Sequence, residues 1–403
     1  MEKQTPRLLI VNFAITRECN LRCKHCYSNS TDSPHANELT TDEAKKVITD
    51  IAEAGAHFLI FDGGEPLMRG DLHELIGHAK EAGLRTLLGT NATLLASEAA
   101  DKLRRAGIDA LAISLHGADA KTHDAFCGRD GSYERTMAGI SNAANAGLPF
   151  QINTCLSQSN LHQLDIIADM AKEFGASALE IFDFLPIGRG KDHAELALMP
   201  QERRAATSHI IERQLMDKSF TYRYIGVPQY IVEMEKTVSG EDSKKLFART
   251  CCGAGKRYCC ILYEGTVFPC MLLQKRLGNV RDIGFAEIWR DSETFNILRN
   301  IEKLDGRCKR CTYNQFCTGA RCWVFVKTGS VTKDDHMCWF SKEELQRLAV
   351  PQKVSCHYCE RKAISTCKTC DAPLCEEHLL ACPLCHAHFC HPDSAVCFYE
   401  HKC

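Results

Sequence analysis

Residues 8–28, LLIVNFAITRECNLRCKHCYS, carry the reading of the fold. The apolar run from Leu8 to Thr16 is short, as a buried strand is. Directly after it come Cys19, Cys23 and Cys26 in a C-x3-C-x2-C spacing. Thiolates are soft, anionic ligands, so this triad can grip three irons of a [4Fe-4S] cluster and leave the fourth open for chemistry. The competing structure, a closed zinc site, asks for four ligands in two spaced pairs.

Outward from that stretch, short apolar runs alternate with longer amphipathic segments up to about residue 225. LLIVNFAIT is followed by a helix near 41–54, HFLIFD by one near 71–82, and RTLLGT by one near 96–106. DALAISL precedes a helix near 133–146, PFQINTCL one near 160–174, and ALEIFDF one near 200–217. Six βα units with right-handed crossovers build a parallel sheet, and six units curled without closing predict an α/β, partial (βα)6 TIM-like barrel over residues 1–230. Its active site is expected at the C-terminal ends of the strands, where the cysteine triad and the FDGGEP stretch fall.

The 403 residues are 45% hydrophobic, enough for one large core and smaller modules. Lys and Arg total 49 against 51 for Asp and Glu, so there is no global basic field for nucleic acid or an acidic membrane surface. No signal peptide or membrane-length apolar run is found, and a cytoplasmic protein is expected. There the 25 cysteines read as metal ligands, because reduced thiols persist in that compartment and disulfides do not.

The triad, the strand before it and FDGGEP (61–66) together resemble the radical S-adenosylmethionine enzymes. The resemblance implies that the cofactor's amino and carboxylate groups chelate the open iron. It also implies that reductive cleavage gives methionine and a 5'-deoxyadenosyl radical. Gly63 and Gly64 allow close backbone approach, and Glu65 can accept a hydrogen bond from a ligand ammonium, the role of this motif in the resembled family. Asn91, Ser114 and Asn153 are read as ending the third, fourth and fifth strands, where family positions border nucleoside or substrate, and a plain structural role competes for each. Cys127 stands where the family's HD-xx-RG-xx-GSF segment has an arginine, and His116 replaces the aspartate of SLDG. A structural histidine is the favoured reading for His116 over a proton carrier.

Cysteines return as Cys252-x12-Gly265-x4-Cys270, Cys308-x2-Cys311-x5-Cys317-x4-Cys322 and Cys338. This pattern is similar to the SPASM extension, which implies a domain over 231–350 holding one or two auxiliary [4Fe-4S] clusters. By position, Cys308, Cys311, Cys317 and Cys338 belong to an outer cluster. Cys252, Cys270, Cys322 and either Cys259 or Cys260 belong to an inner one. Ala320 sits where the last cysteine usually falls, so the inner cluster has room for an open iron. A zinc ribbon is the alternative for this region.

Residues 352–403 hold ten cysteines and six histidines, too dense for an apolar core and dependent on metal for folding. CKTCDAPLCEEH (367–378) and CPLCHAHFCHPD (382–393) repeat at an offset of fifteen. The tail is similar to B-box and AN1-like zinc fingers. One zinc set is Cys356, Cys359, Cys375 and His378, and another is Cys367, Cys370, Cys382 and Cys385. A third draws on Cys390, His391 or Asp393, and two of Cys397, His401 and Cys403, with other threadings open. Closed zinc sites are structural, so the tail is read as a stabilising cap or a protein-docking module.

Over residues 8–340 the chain looks like the radical enzymes that modify haem precursors, including those of haem-d formation, and like peptide maturases of the same layout. An iron tetrapyrrole side chain is the preferred substrate, and a peptide or protein the alternative. A low-potential donor such as ferredoxin or flavodoxin is implied. Only seven residues precede the first strand, which points away from a peptide-binding domain there, whereas the zinc tail points towards a macromolecular partner. A non-enzymatic metal scaffold or electron carrier is the reading from another class.

Overall fold

The strand read from residues 8–16 is β1 (Ile10–Thr16), in which Val11, Asn12, Phe13, Ala14 and Ile15 are all fully buried. Both faces are covered, as a central strand of a parallel sheet requires. The computed structural model describes residues 8–237, 252–314 and 316–347, together with four short strands between 365 and 390.

From β1 the sheet grows in sequence order through β2 (Phe58–Gly63), β3 (Arg85–Thr90), β4 (Ala110–Ser114), β5 (Phe150–Leu156), β6 (Ala178–Asp183) and β7 (Thr221–Ile225), all parallel. The crossovers are α1 (Thr41–Glu53), α2 (Leu72–Glu81), α3 (Ser97–Ala106), α4 (Ala120–Cys127) with α5 (Ser132–Asn145), α6 (Leu164–Glu173) and α7 (Pro200–Met216). α1 shows why they form: Thr40 and Glu43 make a reciprocal cap, and Ala44, Val47, Ile48 and Ile51 bury one stripe. α8 (Tyr230–Thr237) follows β7.

Six βα units are expected and the parallel series has a seventh strand, β7, from TYRYI. The sheet also extends past β1 on the other side. β8 (Tyr258–Ile261) pairs parallel to β1, β9 (Thr266–Phe268) antiparallel to β8, and β10 (Gly278–Asn279) antiparallel to β9. The order is β10-β9-β8-β1-β2-β3-β4-β5-β6-β7, open at both ends. The cysteine-rich segment therefore shares the main sheet. It continues through α9 (Phe285–Asp291), α10 (Glu293–Arg299), α11 (Gly306–Arg310), α12 (Arg321–Thr328) and α13 (Lys342–Arg347). Trp289, Phe295, Tyr313, Trp339 and Phe340 join the same apolar core as the barrel helices. Among the described residues no helix is long and apolar enough to cross a membrane.

In the tail, β11 (Ser365–Thr366) pairs with β12 (Pro373–Leu374), and β13 (Leu379–Ala381) with β14 (His388–Cys390). Thr366 faces Pro373 and Ala381 faces His388, so the fifteen-residue repeat is also a repeat of strand register. The expected zinc ligands Cys356, Cys359, Cys367, Cys370, Cys375, His378, Cys382, Cys385, His401 and Cys403 lie outside the described residues, and Cys390 is described only as part of β14.

Candidate active site

Cys19, Cys23 and Cys26 sit in the loop leaving the C-terminal end of β1. Backbone amides approach two of the sulfurs, Leu21 N–H to Cys19 Sγ and Ser30 N–H to Cys26 Sγ, each at 3.4 Å. The loop is tied down from across the sheet: Arg22 and Lys24 N–H donate to the carbonyls of Cys127 and Phe126 at 3.0 and 2.9 Å. Arg189, between β6 and α7, gives its Nε to the Cys23 carbonyl at 3.0 Å and its Nη1 to that of Ser30. Burial raises the Cys19 thiol well above its ordinary value, and a hydrogen bond with Cys127 followed by burial does so for Cys23. Charge on Cys23 or Cys26 disfavours charge on Cys19, so the three thiols are electrostatic neighbours. Among the described residues no three His, Cys, Asp or Glu side chains converge on one ion-sized point.

The Gly-Gly-Glu stretch closes over this loop. A Cβ on Gly63 would collide with the Thr16 carbonyl oxygen and one on Gly64 with that of Glu18, so only glycine lets β2 end against the cysteine loop. Glu65 is engaged within the protein. Its carboxylate is fully buried and points inward, accepting from Asn91 N–H at 2.8 Å, Thr90 Oγ1 at 2.7 Å and Leu67 N–H at 3.2 Å. Burial pushes it up to about 7 despite those donors. Gly63 and Gly64 are the part of the motif that lines the cavity.

Asn91 follows the end of β3 and Ser114 ends β4, as expected, and both line the cavity. Asn153 also lines it but lies in the middle of β5, three residues before the strand ends at Leu156. It belongs to a row across adjacent strands, Ser114 beside Asn153, Asn153 beside Glu180 and Glu180 beside Arg223. Gln151 ties the row together through Asn153, Glu180 and Arg223.

The cavity is about 650 Å³ and reaches from the cysteine loop to a second group of cysteines, Cys252, Cys270 and Cys322. These three are mutual electrostatic neighbours, and burial pushes Cys270 up to about 12. Of the two candidates to join them, Cys260 has Asp62 and Cys270 nearby, whereas Cys259 is packed in the core near Arg299. Cys308, Cys311, Cys317 and Cys338 form a separate neighbourhood. Tyr313 N–H approaches Cys311 Sγ at 3.4 Å, and Arg321 Nη2 and Asp335 N–H approach Cys308 Sγ at 3.3 and 3.4 Å.

A histidine group, with His116 and His123 buried and His25 half-buried, escaped the sequence reading except for His116. His25 stacks on Phe126 with centroids 4.8 Å apart and meets His116 edge-on at 4.5 Å. His116 Nδ1 accepts from Cys155 N–H at 3.1 Å, which fixes the proton on Nε2 and makes this a structural histidine. His123 Nδ1 likewise accepts from His116 N–H, leaving Nε2–H to point at Cys127 Sγ, 3.3 Å away. Burial lowers His25 to about 3 and His123 to about 4, and His116 well below the ordinary value. All three are neutral walls of the site. The C-x-H-C spacing was the signal for His25; nothing local marked Arg189 or the pairing of Cys127 with Cys23.

A model of the radical SAM superfamily matches residues 13–171, and a model of the SPASM iron-sulfur cluster-binding domain matches residues 251–312. The AdoMet-dependent heme synthase of Methanosarcina barkeri is 38% identical over 341 residues, covering 83% of this chain and 96% of its own. The chain belongs to the radical SAM superfamily. The Fe-coproporphyrin III synthase of the same organism is 30% identical over 355 residues, 83% of this chain and 89% of that one. In fold, the radical SAM chain is similar to Streptococcus suis SuiB bound to S-adenosylmethionine, with a TM-score of 0.66 at 16% identity over 83% of this chain and 78% of the other. Radical SAM membership makes this an iron-sulfur enzyme of S-adenosylmethionine. The SPASM match ends at residue 312, so the grouping of Cys317, Cys322 and Cys338 with the earlier cysteines rests on geometry.

Proposed function

We propose that this radical SAM enzyme oxidatively removes a carboxylate or a whole acidic arm from an iron tetrapyrrole. The observation that carries the reading is that one cavity is bounded by Cys19, Cys23 and Cys26 on one side and by Cys252, Cys270 and Cys322 on another. The names of the two Methanosarcina relatives, a heme synthase and an Fe-coproporphyrin III synthase, support the substrate class.

The residues present fit the cofactors. Three half-buried thiols at a cavity edge are a donor set for iron, and the buried Asn12 Oδ1, His25 Nδ1 and Tyr258 hydroxyl in the cavity wall have no partner among the described residues. When bound, a [4Fe-4S] cluster on Cys19, Cys23 and Cys26 together with S-adenosylmethionine supplies hydrogen-atom abstraction. The chain's own groups do the rest. Gly63 and Gly64 bring backbone to the cofactor, Asn91, Ser114 and Asn153 border it, and Arg189 fixes the cysteine loop. The neutral histidines keep positive charge away from a cofactor that is itself a cation. Loss of a hydrogen atom and carbon dioxide from a propionate arm leaves one electron to be accepted. Cys252, Cys260, Cys270 and Cys322 would hold the acceptor in the same cavity, with Cys308, Cys311, Cys317 and Cys338 holding an outer cluster towards a ferredoxin- or flavodoxin-like donor. The tail is proposed to bind structural zinc and to dock a protein; its two equal hairpins support a duplicated metal module.

The test is anaerobic reconstitution with iron and sulfide, followed by measurement of 5'-deoxyadenosine and tetrapyrrole mass with and without iron-coproporphyrin. Cleavage coupled to mass loss supports the reading. Slow cleavage that no tetrapyrrole changes transfers the proposal to a peptide substrate. In the same assay Cys23→Ala abolishes 5'-deoxyadenosine, while Cys308→Ala retains some cleavage and loses product.

A further inference from the structure

Arg203 lies on α7, and its side chain is completely buried. Its guanidinium sits 5.6 Å from the ring of Trp323 and 5.9 Å from that of Trp339. These tryptophans immediately follow Cys322 and Cys338, one in each cysteine set. Nη1 donates to the carbonyl of Met337, the residue before Cys338, at 3.4 Å, and Nη2 to that of Gly226, just past β7, at 3.2 Å. Nη2 also pairs at 2.9 Å with Asp183 Oδ2, whose side chain is 1% exposed. That oxygen accepts Trp323 Nε1–H at 2.6 Å, and Asp183 itself ends β6 and lines the cavity. A second carboxylate, Asp335, accepts from Ala320 and Met337 N–H at 2.7 and 2.9 Å, while its own N–H meets Cys308 Sγ.

A buried ion pair is a poor way to gain stability, because removing both charges from water costs several kcal/mol per ion (order of magnitude), and apolar replacements often do as well. This pair is placed where charge acts on something. Arginine stays protonated at any working pH, so the cation is permanent. In a low-dielectric interior its field reaches Cys322 of the inner set with little screening, and its contacts to Met337 and Trp339 bring it against the two neighbours of Cys338 in the outer set.

We propose that Arg203, held by Asp183, is a positioning residue that docks both auxiliary cysteine sets on the barrel and sets the reduction potentials of the clusters they hold. The inference rests on the reading that those cysteines bind iron-sulfur clusters. A reduced cluster is more negative than an oxidised one, so Arg203 favours reduction and Asp183 opposes it. A purely mechanical joint has no such sign.

The test is a redox titration, followed by electron paramagnetic resonance, of the full-length, anaerobically reconstituted protein and its Arg203→Gln, Arg203→Lys and Asp183→Asn variants. Arg203→Gln lowers the auxiliary potentials and Asp183→Asn raises them. Each changes the reduced-to-oxidised ratio at fixed poise by about tenfold, which for one electron is about 59 mV. Arg203→Lys keeps the charge and stays near the parent values. The cluster on Cys19, Cys23 and Cys26 moves least and serves as internal reference. Potentials that stay put, or that move the same way in Arg203→Gln and Asp183→Asn at full iron content, overturn the inference and leave the cluster assignment standing. Absence of auxiliary-cluster signals from the parent protein overturns the assignment and the inference with it. Should Arg203→Gln fail to fold, the rise in Asp183→Asn against constancy in Arg203→Lys decides the matter.

Discussion

Gly64 is the tightest point of the site. Its Cα faces the Glu18 carbonyl, and the neighbouring Glu65 N–H donates to that same oxygen at 2.7 Å. Gly64→Ala is expected to push the loop of Cys19 away from β2, and reconstituted iron and 5'-deoxyadenosine should both fall at least about tenfold, the scale of a 1.4 kcal/mol perturbation. Gly70→Ala, with open space around its Cα, is the matched control and should change neither. Glu65 gives a pH signature. Its folded value of about 7 lies above the ordinary carboxyl value of 4.5, so between those limits the unfolded chain ionises while the folded protein holds its proton. Stability is therefore lost as pH rises from about 4.5 to 7 and is flat above. Glu65→Gln should remove that slope from the metal-free protein, by up to about 3 kcal/mol across the window, read as the difference in urea midpoints. The motif was legible in the sequence and the direction of its carboxylate was not. Its partners Thr90 and Asn91 reach it only because β3 lies beside β2.

Among the elements, the six strands with strong apolar runs could be read directly, because a buried parallel strand announces itself by composition. β7 could not, since TYRYI alternates buried Tyr222 and Tyr224 with half-buried Thr221 and Arg223 and so makes no apolar run. β8 was hidden for another reason: four residues, YCCI, inside a run of cysteines give no period, and what makes them a strand is the free edge of β1. That strand settles which way its adjacent cysteines face, since successive side chains alternate. Cys260→Ser should lower iron content and change the inner-cluster resonance signal. Cys259→Ser, which places a hydroxyl in the core, should leave the spectrum unchanged and cost about 1–3 kcal/mol of stability. The opposite pattern would exchange the two roles.

At the scale of the whole molecule, the continuous ten-stranded sheet explains how cysteines at opposite ends of the described chain come to share one cavity. β8 carries the chain back to the edge of β1, and the segments before β8 and after β9 deliver Cys252 and Cys270 to the cavity that the triad lines. No local pattern encodes that meeting, because it depends on the chain passing from β7 at one edge of the sheet to β8 on the far side of β1. Among the described residues, those lining the cavity lie between 9 and 322. Among the described residues its support extends to the segment around Met337 and Trp339, through Arg203. Residues 352–403 are read from the sequence as a separate, metal-dependent module. Removing them should leave uncoupled 5'-deoxyadenosine formation within about twofold of the full-length rate, less than 0.5 kcal/mol in barrel energetics. Bound zinc should disappear from the shortened protein while iron content stays constant. A truncated protein that keeps its zinc would place that metal in the cysteine sets of the barrel. One that loses cleavage along with its zinc would make the tail part of the enzyme's working structure.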